Sequence, residues 1–202
     1  MDRRERNKAE KRRRLEEAGI AAFLAEGYTA ASVERIAAAA DVARGTFYLY
    51  HRDKEALFEA LMERLWGPLV AAVERARDDL AACPDAASTL PVYAALGQEL
   101  ALLMVERRAE LQLYFAEARA RGPAGDLVRK RALRVEEVTR EILEEAVRRG
   151  TLRPHDVNAV ALAIFGGIER LVYAFLEDPT SLDPTTVPGE VIRLFRHGLA
   201  PS

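Results

Sequence analysis

The stretch from Ser32 to Lys54, S-V-E-R-I-A-A-A-A-D-V-A-R-G-T-F-Y-L-Y-H-R-D-K, restricts this chain more than any other. It reads as two short helices joined by a tight turn. Ser32 can cap the first helix with its hydroxyl, and Val33, Ile36, Ala37 and Ala40 fall at the spacing of one buried face. Asp41 and Val42 mark the turn, because Asp tolerates the left-handed or bridging backbone that a short helix-to-helix link demands. A second helix of about two turns starts near Ala43, with Val42 and Phe47 inward and Arg44, Gly45, Thr46, Tyr48, Leu49 and Tyr50 on or near the outer side. So short a helix has too little apolar surface to stand alone. Its outer face offers a guanidinium for a base edge or a phosphate, a hydroxyl, a glycine that allows close approach, and two phenols able to donate to phosphate oxygens.

The longer run G-Y-T-A-A-S-V-E-R-I-A-A-A-A-D-V-A-R-G-T-F-Y-L-Y-H-R-D-K-E-A-L-F resembles the DNA-binding signature of the tetracycline-repressor (TetR) family of bacterial transcription regulators. The pattern reaches back to Leu15, Ala18, Ile20 and Phe23 and forward to Leu61, and the joint spacing of Phe23, Gly27, Ile36, Ala37, Val42, Gly45, Thr46, Tyr48, Lys54 and Leu57 carries it. The resemblance implies an all-α fold: an N-terminal three-helix helix-turn-helix head, then a C-terminal helical bundle for ligand binding and dimerisation. It further implies a homodimer on a palindromic operator of double-stranded DNA, acting as a repressor until a small-molecule effector releases it. On this reading Arg44 contacts a base, Gly45 and Thr46 lie against the groove beside Leu49, and Tyr48, Tyr50 and Lys54 hold phosphates. Ser32 caps its helix and touches the backbone. Three positions depart from the family's pattern: Asp41 stands where Gly is usual at the turn, Ala43 where Ser usually caps the second helix, and His51 where Phe is usual.

Charge supports a localised contact. The net charge of −2 hides a basic first stretch, M-D-R-R-E-R-N-K-A-E-K-R-R-R, on a slightly acidic remainder. Residues 1–14 are expected to form a flexible basic arm, which either reaches a minor groove or flanking phosphates or is a solvated tail. Residues 15–60 then form the head and 61–202 the body. The single cysteine, Cys83, permits neither an internal disulfide nor a thiolate metal cluster. The charged N-terminus is unlike a signal sequence and no run of eighteen apolar residues occurs, so a bacterial cytoplasmic protein is expected.

The head's first helix is expected over about Arg13 to Glu26, ending at Gly27, with Phe23 as hub. Asp53 caps a long helix that Gly67-Pro68 should kink. Further helices are expected over Pro91–Glu106, Arg107–Arg121, Asp126–Arg149, Asp156–Glu177 and Pro188–Leu199. The Asp156 helix carries more apolar positions than one buried face needs, so Ile164, Gly166, Gly167, Ile168 and Leu171, with Val191, Leu194 and Phe195 of the last helix, are candidates for a two-fold interface. A core helix is the plainer alternative. An effector pocket is expected among Trp66, Tyr93, Met104, Tyr114, Phe115 and Phe165 with Tyr173, oriented by Glu117 and Glu169. Catalysis has little support: His51, His155 and His197 are scattered, and no metal or nucleophile motif accompanies them. No cofactor or metal is expected. The competing readings are an all-helical enzyme or metal/cofactor bundle without DNA affinity, and a pure protein-interaction module.

Overall fold

A computed structural model describes residues 2–200, and among these the chain forms nine α-helices and no strand. They are α1 (Arg3–Ala30), α2 (Val33–Ala39), α3 (Arg44–Phe47), α4 (Lys54–Ala82), α5 (Thr89–Glu106), α6 (Arg108–Glu117), α7 (Pro123–Arg148), α8 (Val157–Glu177) and α9 (Val187–Leu199). The chain divides into two compact units. The first contains residues up to Leu65 together with Ala109–Lys130, and the second contains Trp66–Arg108 and the chain from Arg131 onward. The first unit is therefore larger than the head expected over residues 15–60, because α6 and the start of α7 join it.

The expected flexible arm is instead helix. α1 begins at Arg3 and runs on into the head, with a break in its dihedrals only at Gly27 (φ 78°, ψ 157°). Composition argued for disorder, but the arm extends a helix whose nucleation cost is already met, and its charges pair at helical spacing. Arg13 binds Glu10 at 2.6 Å and Glu17 at 2.7 Å, and Arg12 binds Glu16 at 3.0 Å. In the first unit Leu15, Phe23, Ile36, Phe47, Leu57, Phe58, Leu61 and Met62 form the core. Phe23 is the hub: Tyr28 and Phe58 each lie 5.6 Å from its ring centroid. α1 and α4 approach closely at Gly19, where a β-carbon would sit 2.7 Å from a Leu57 methyl.

A buried charge cluster crosses this core. Arg64 on α4 donates to Glu16 of α1 at 2.8 Å and lies 3.0 Å from Glu110 of α6, with both carboxylates more than nine-tenths buried. Arg12 meets Glu16 from the other side. Glu117 of α6 accepts the Tyr28 amide at 3.1 Å, which satisfies a donor just past the Gly27 break. These contacts explain why α6 belongs with the head.

The second unit is built from the later part of α4, from α5, the later part of α7, α8 and α9. The kink expected at Gly67-Pro68 does not interrupt α4, which runs through Pro68; Trp66, Ala72, Val73, Ala76 and Leu80 are buried on either side and hold it in place. Arg149 donates to the carbonyls of Leu80 and Ala81 at 2.9 Å each and to that of Cys83, closing the C-terminal end of α4. Arg108 does the same for α8 through the Leu176 carbonyl at 2.7 Å.

Removing Arg64 leaves Glu110 buried without its cation. Loss of a fully buried partner costs about 3–5 kcal/mol, and Arg64 is itself about one-third exposed. We therefore expect Arg64→Met to destabilise the protein by about 2–3 kcal/mol in urea unfolding, and an unchanged midpoint would show that the cluster contributes nothing net.

Candidate nucleic-acid interface

The helix-turn-helix is assembled as its sequence dictates. Ser32 takes extended backbone (φ −121°) and its Oγ accepts the Arg35 amide at 3.3 Å, capping α2. Ile36, Ala37 and Ala40 are buried beneath. Asp41 supplies the turn with φ 52°, the left-handed conformation expected of it, and among the described residues it is the only non-glycine with positive φ. Its carboxylate does not replace the missing cap of α3. It accepts from Arg14 at 2.9 Å, and Ala43 caps with backbone alone.

α3 is shorter than expected, four residues followed by turns to Tyr50. Its place is fixed by Phe47, which is fully buried. Around that anchor Arg44, Gly45 and Tyr48 are exposed, Leu49 is 80% exposed, and Thr46 and Tyr50 are half-buried. Arg44 Nη2 donates to the Tyr48 hydroxyl at 3.4 Å and pairs with Glu34 at 3.0 Å. Tyr48 first and Glu34 second raise the Arg44 pKa, so the guanidinium stays charged. A β-carbon on Gly45 would meet nothing within 4 Å, so the open space above α3 is available to an outside partner.

Lys54 is corrected. Its ammonium donates to the carbonyls of Tyr28 at 2.6 Å, Thr29 at 3.1 Å and Ala31 at 2.8 Å, and sits 4.6 Å from the Tyr28 ring centroid. An ammonium has three donors and all are used on the chain's own carbonyls, so Lys54 belongs to the scaffold rather than to the phosphate set. His51 is 4% exposed, beside Phe47 at 5.8 Å, and its Nε2 has no hydrogen-bond partner. Burial pushes its pKa below the ordinary value, Glu16 opposing and Arg12 assisting. The packed position therefore holds a neutral ring where an aromatic hydrocarbon would serve equally well.

Residues 16–61, which span this whole arrangement, match the model of the bacterial regulatory proteins, tetR family. That match covers the head and not the remainder of the chain. Among solved structures it is similar to SmeT, in a complex with triclosan (TM-score 0.76, 17% identity, 95% of this chain and 92% of that one); SmeT is the repressor of a multidrug efflux pump of Stenotrophomonas maltophilia. It is similar also to FadR from Bacillus subtilis, in a complex with stearoyl-CoA (0.69, 21%, 90% and 95%), and to NalD from Pseudomonas aeruginosa, a secondary repressor of a multidrug efflux pump (0.71, 20%, 96% and 98%). At these identities the likeness is one of fold. Curated proteins give no significant match.

The residues expected around an effector fall in both units, Tyr114, Phe115 and Glu117 in the first and Trp66, Tyr93, Met104, Phe165, Glu169 and Tyr173 in the second. Trp66 and Tyr114 are core residues, Phe115 packs on Tyr114 at 4.9 Å, and Glu117 is committed to the Tyr28 amide. Met104, Phe165 and Glu169 are half-buried, and Tyr173 is exposed with the Arg170 guanidinium 5.6 Å from its ring centroid. Tyr93 lines a cavity. This cavity, of about 130 Å³ within the second unit, is otherwise walled by Arg77, Leu80, Ala81, Thr89, Ile142, Glu145, Ala146, Arg149 and Thr151. Nothing local in the sequence marked those positions, since three separate helices contribute them. Among the described residues no group of three or more His, Cys, Asp or Glu could hold a metal ion.

Two outcomes follow from this geometry. Lys54→Met should lower the stability of the head by about 1.5–3 kcal/mol, the range for charge-assisted bonds; at a temperature where the variant is folded, the salt dependence of DNA binding, followed by fluorescence anisotropy, should stay that of the parent. For His51 the unfolded state binds more protons than the folded one just below the ordinary histidine pKa, so stability rises with pH through that window and falls on acidification. Urea unfolding at about pH 7.5 and about pH 5.5 should therefore show a smaller acid loss for His51→Phe than for the parent.

Proposed function

We propose that this chain is a ligand-responsive transcriptional repressor that occupies a palindromic operator as a homodimer, and that a small molecule in its body releases it. The observation that carries this reading is the arrangement at α3: Phe47 is sealed in the core while Arg44, Gly45, Tyr48 and Leu49 face outward on a family-matched head. Arg44 is the base-reading residue. Its pair with Glu34 is exposed and screened by water, whereas a bidentate contact to a guanine edge in a groove is not, so DNA wins the exchange. Gly45 and Thr46 lie against the groove, Leu49 supplies an apolar contact, Tyr48 and Tyr50 hold phosphates, and Ser32 adds a backbone contact.

Dimerisation rests on α8. This helix is long and apolar enough to cross a membrane by composition, yet only 17% of its most apolar window is buried within the chain. Ile164, Ile168 and Leu171 are half-buried, Gly166 and Gly167 face open space, and on α9 Leu194 is 72% exposed beside half-buried Val191 and Phe195. Such a surface requires a cover, and a second copy of α8 and α9 provides one with matching chemistry. For the effector, the cavity beside Tyr93 has the size that holds a benzene ring. The stearoyl-CoA and triclosan of the structural relatives are apolar or carry an apolar part, and the effector here is proposed to be of that class, opening the cavity as it enters. The cytoplasm of a bacterium is where such a protein would act.

The test uses duplexes selected by the protein from a random pool. Arg44→Ala should cost about 1–3 kcal/mol on the selected site and relax the preference at one position per half-site. Ile168→Glu should yield a monomer in sedimentation that no longer prefers the palindrome. An Arg44→Ala protein with the parent's affinity and preference would exclude α3 as the reading element.

A further inference from the structure

The first three turns of α1 are built unlike the rest of the helix. From Asp2 to Arg14 the sequence carries eight cations against three carboxylates. Three of the cations are engaged: Arg12 with Glu16, Arg13 with Glu10 and Glu17, and Arg14 with Asp41. The other five, Arg3, Arg4, Arg6, Lys8 and Lys11, enter no ion pair or side-chain hydrogen bond among the described residues, although Asp2 and Glu5 stand beside them.

Position matters more than number. Arg4, Lys8 and Lys11 recur at spacings of four and three residues, so they form one stripe along α1, and the next residues of that stripe are Leu15 and Ala18 of the head's core. At the edge of the same stripe Arg14 reaches the Asp41 carboxylate, which lies in the turn directly before α3. The acidic residues Asp2, Glu5 and Glu10 fall outside it. The helix thus continues past the head with an all-cationic strip on the side that carries the α2–α3 turn. A solvated arm needs no such segregation.

We propose that this strip is a second DNA contact, in which Arg4, Lys8 and Lys11 hold backbone phosphates of the duplex flanking the half-site that α3 reads. The inference rests on the DNA-binding reading above and extends it to residues outside the helix-turn-helix. A rigid helix suits phosphates, which recur along the duplex at a spacing that a row of cations can follow, and it is unlike the extended arm that threads a minor groove. The contact adds affinity and salt dependence without sequence preference.

The experiment compares the parent with an Arg4→Ala, Lys8→Ala, Lys11→Ala triple variant, whose alanines keep the helix and touch no core position. Fluorescence anisotropy is read across a salt series on the duplex selected by the parent, once with long flanks and once cut back to the palindrome. On the long duplex the log–log salt slope of the variant should be smaller by about 2–3, its affinity at low salt lower by at least about tenfold, and its preference for the selected site over a scrambled one unchanged. Cutting the flanks should weaken the parent and leave the variant unaffected. Superimposable titrations of the two proteins on the long duplex overturn the proposal while leaving the regulator reading intact. A parent that selects no duplex at all overturns both. A loss confined to vesicles of phosphatidylglycerol, with DNA binding retained, assigns the strip to a membrane surface and also overturns it.

Discussion

A helix of four residues makes almost no helical hydrogen bonds of its own, so something else must fix the direction of α3. In this chain that is the burial of Phe47. Its ring leaves water entirely, a gain of about 1.5–3 kcal/mol, and its centroid lies 5.8 Å from that of His51, while α3, the helix that carries it, packs against α2. Burying one residue of a short turn orients its neighbours in opposite directions. Arg44, Gly45 and Tyr48 can only face outward once Phe47 faces in. The outer face is therefore a consequence of the core rather than a separate design, and every function assigned to that face depends on the one aromatic anchor.

The scaffold under that anchor is held by charges as much as by apolar packing. Lys54 closes the carbonyls after Gly27, Glu117 takes the amide of Tyr28, and Arg64 joins Glu16 to Glu110. Together these contacts tie α4 and α6 to α1 and to the residues that end it. Burying such groups is costly unless each is paired, and the pairing here is close to complete. A directional polar network of this kind allows fewer alternative packings than an apolar core would, which suits a head whose few outward residues must keep a fixed spacing.

Much of this head was legible in the sequence because the signals are local. The Ser32 cap, the left-handed Asp41, the inward Phe47 and the Phe23 hub each follow from residue type and from periods of three or four. The excess apolar surface of the Val157–Glu177 helix was legible for the same reason. What was not legible comes from contacts between distant residues. Lys54 meets Tyr28 across 26 positions, Arg64 meets Glu16 across 48, and Glu117 meets Tyr28 across 89. A lysine at a helix N-terminus reads as a phosphate ligand until three carbonyls are found around it. The effector residues are hard to read for the same reason: large aromatics are as apt to fill a core as to line a cavity, and Trp66 and Tyr114 are each buried in their own unit. The arm was misjudged from composition, because like charges argue for disorder only where no helix is already present to be extended.

The distribution of paired and unpaired cations gives the molecule its polarity. Through the core of the head and along α7, arginines are answered by carboxylates: Arg64 by Glu16 and Glu110, Arg134 by Glu74, Arg77 by Glu141. A chain with a net charge of −2 has enough acid to answer nearly all of its cations. Five cations with no ion pair among the described residues, Arg3, Arg4, Arg6, Lys8 and Lys11, stand together on the first turns of α1, and Arg44 on α3 is held by an exposed glutamate and the Tyr48 hydroxyl. Self-repulsion among neighbouring cations weakens a fold, so a polyanion held along the first turns of α1, as proposed above, would relieve it.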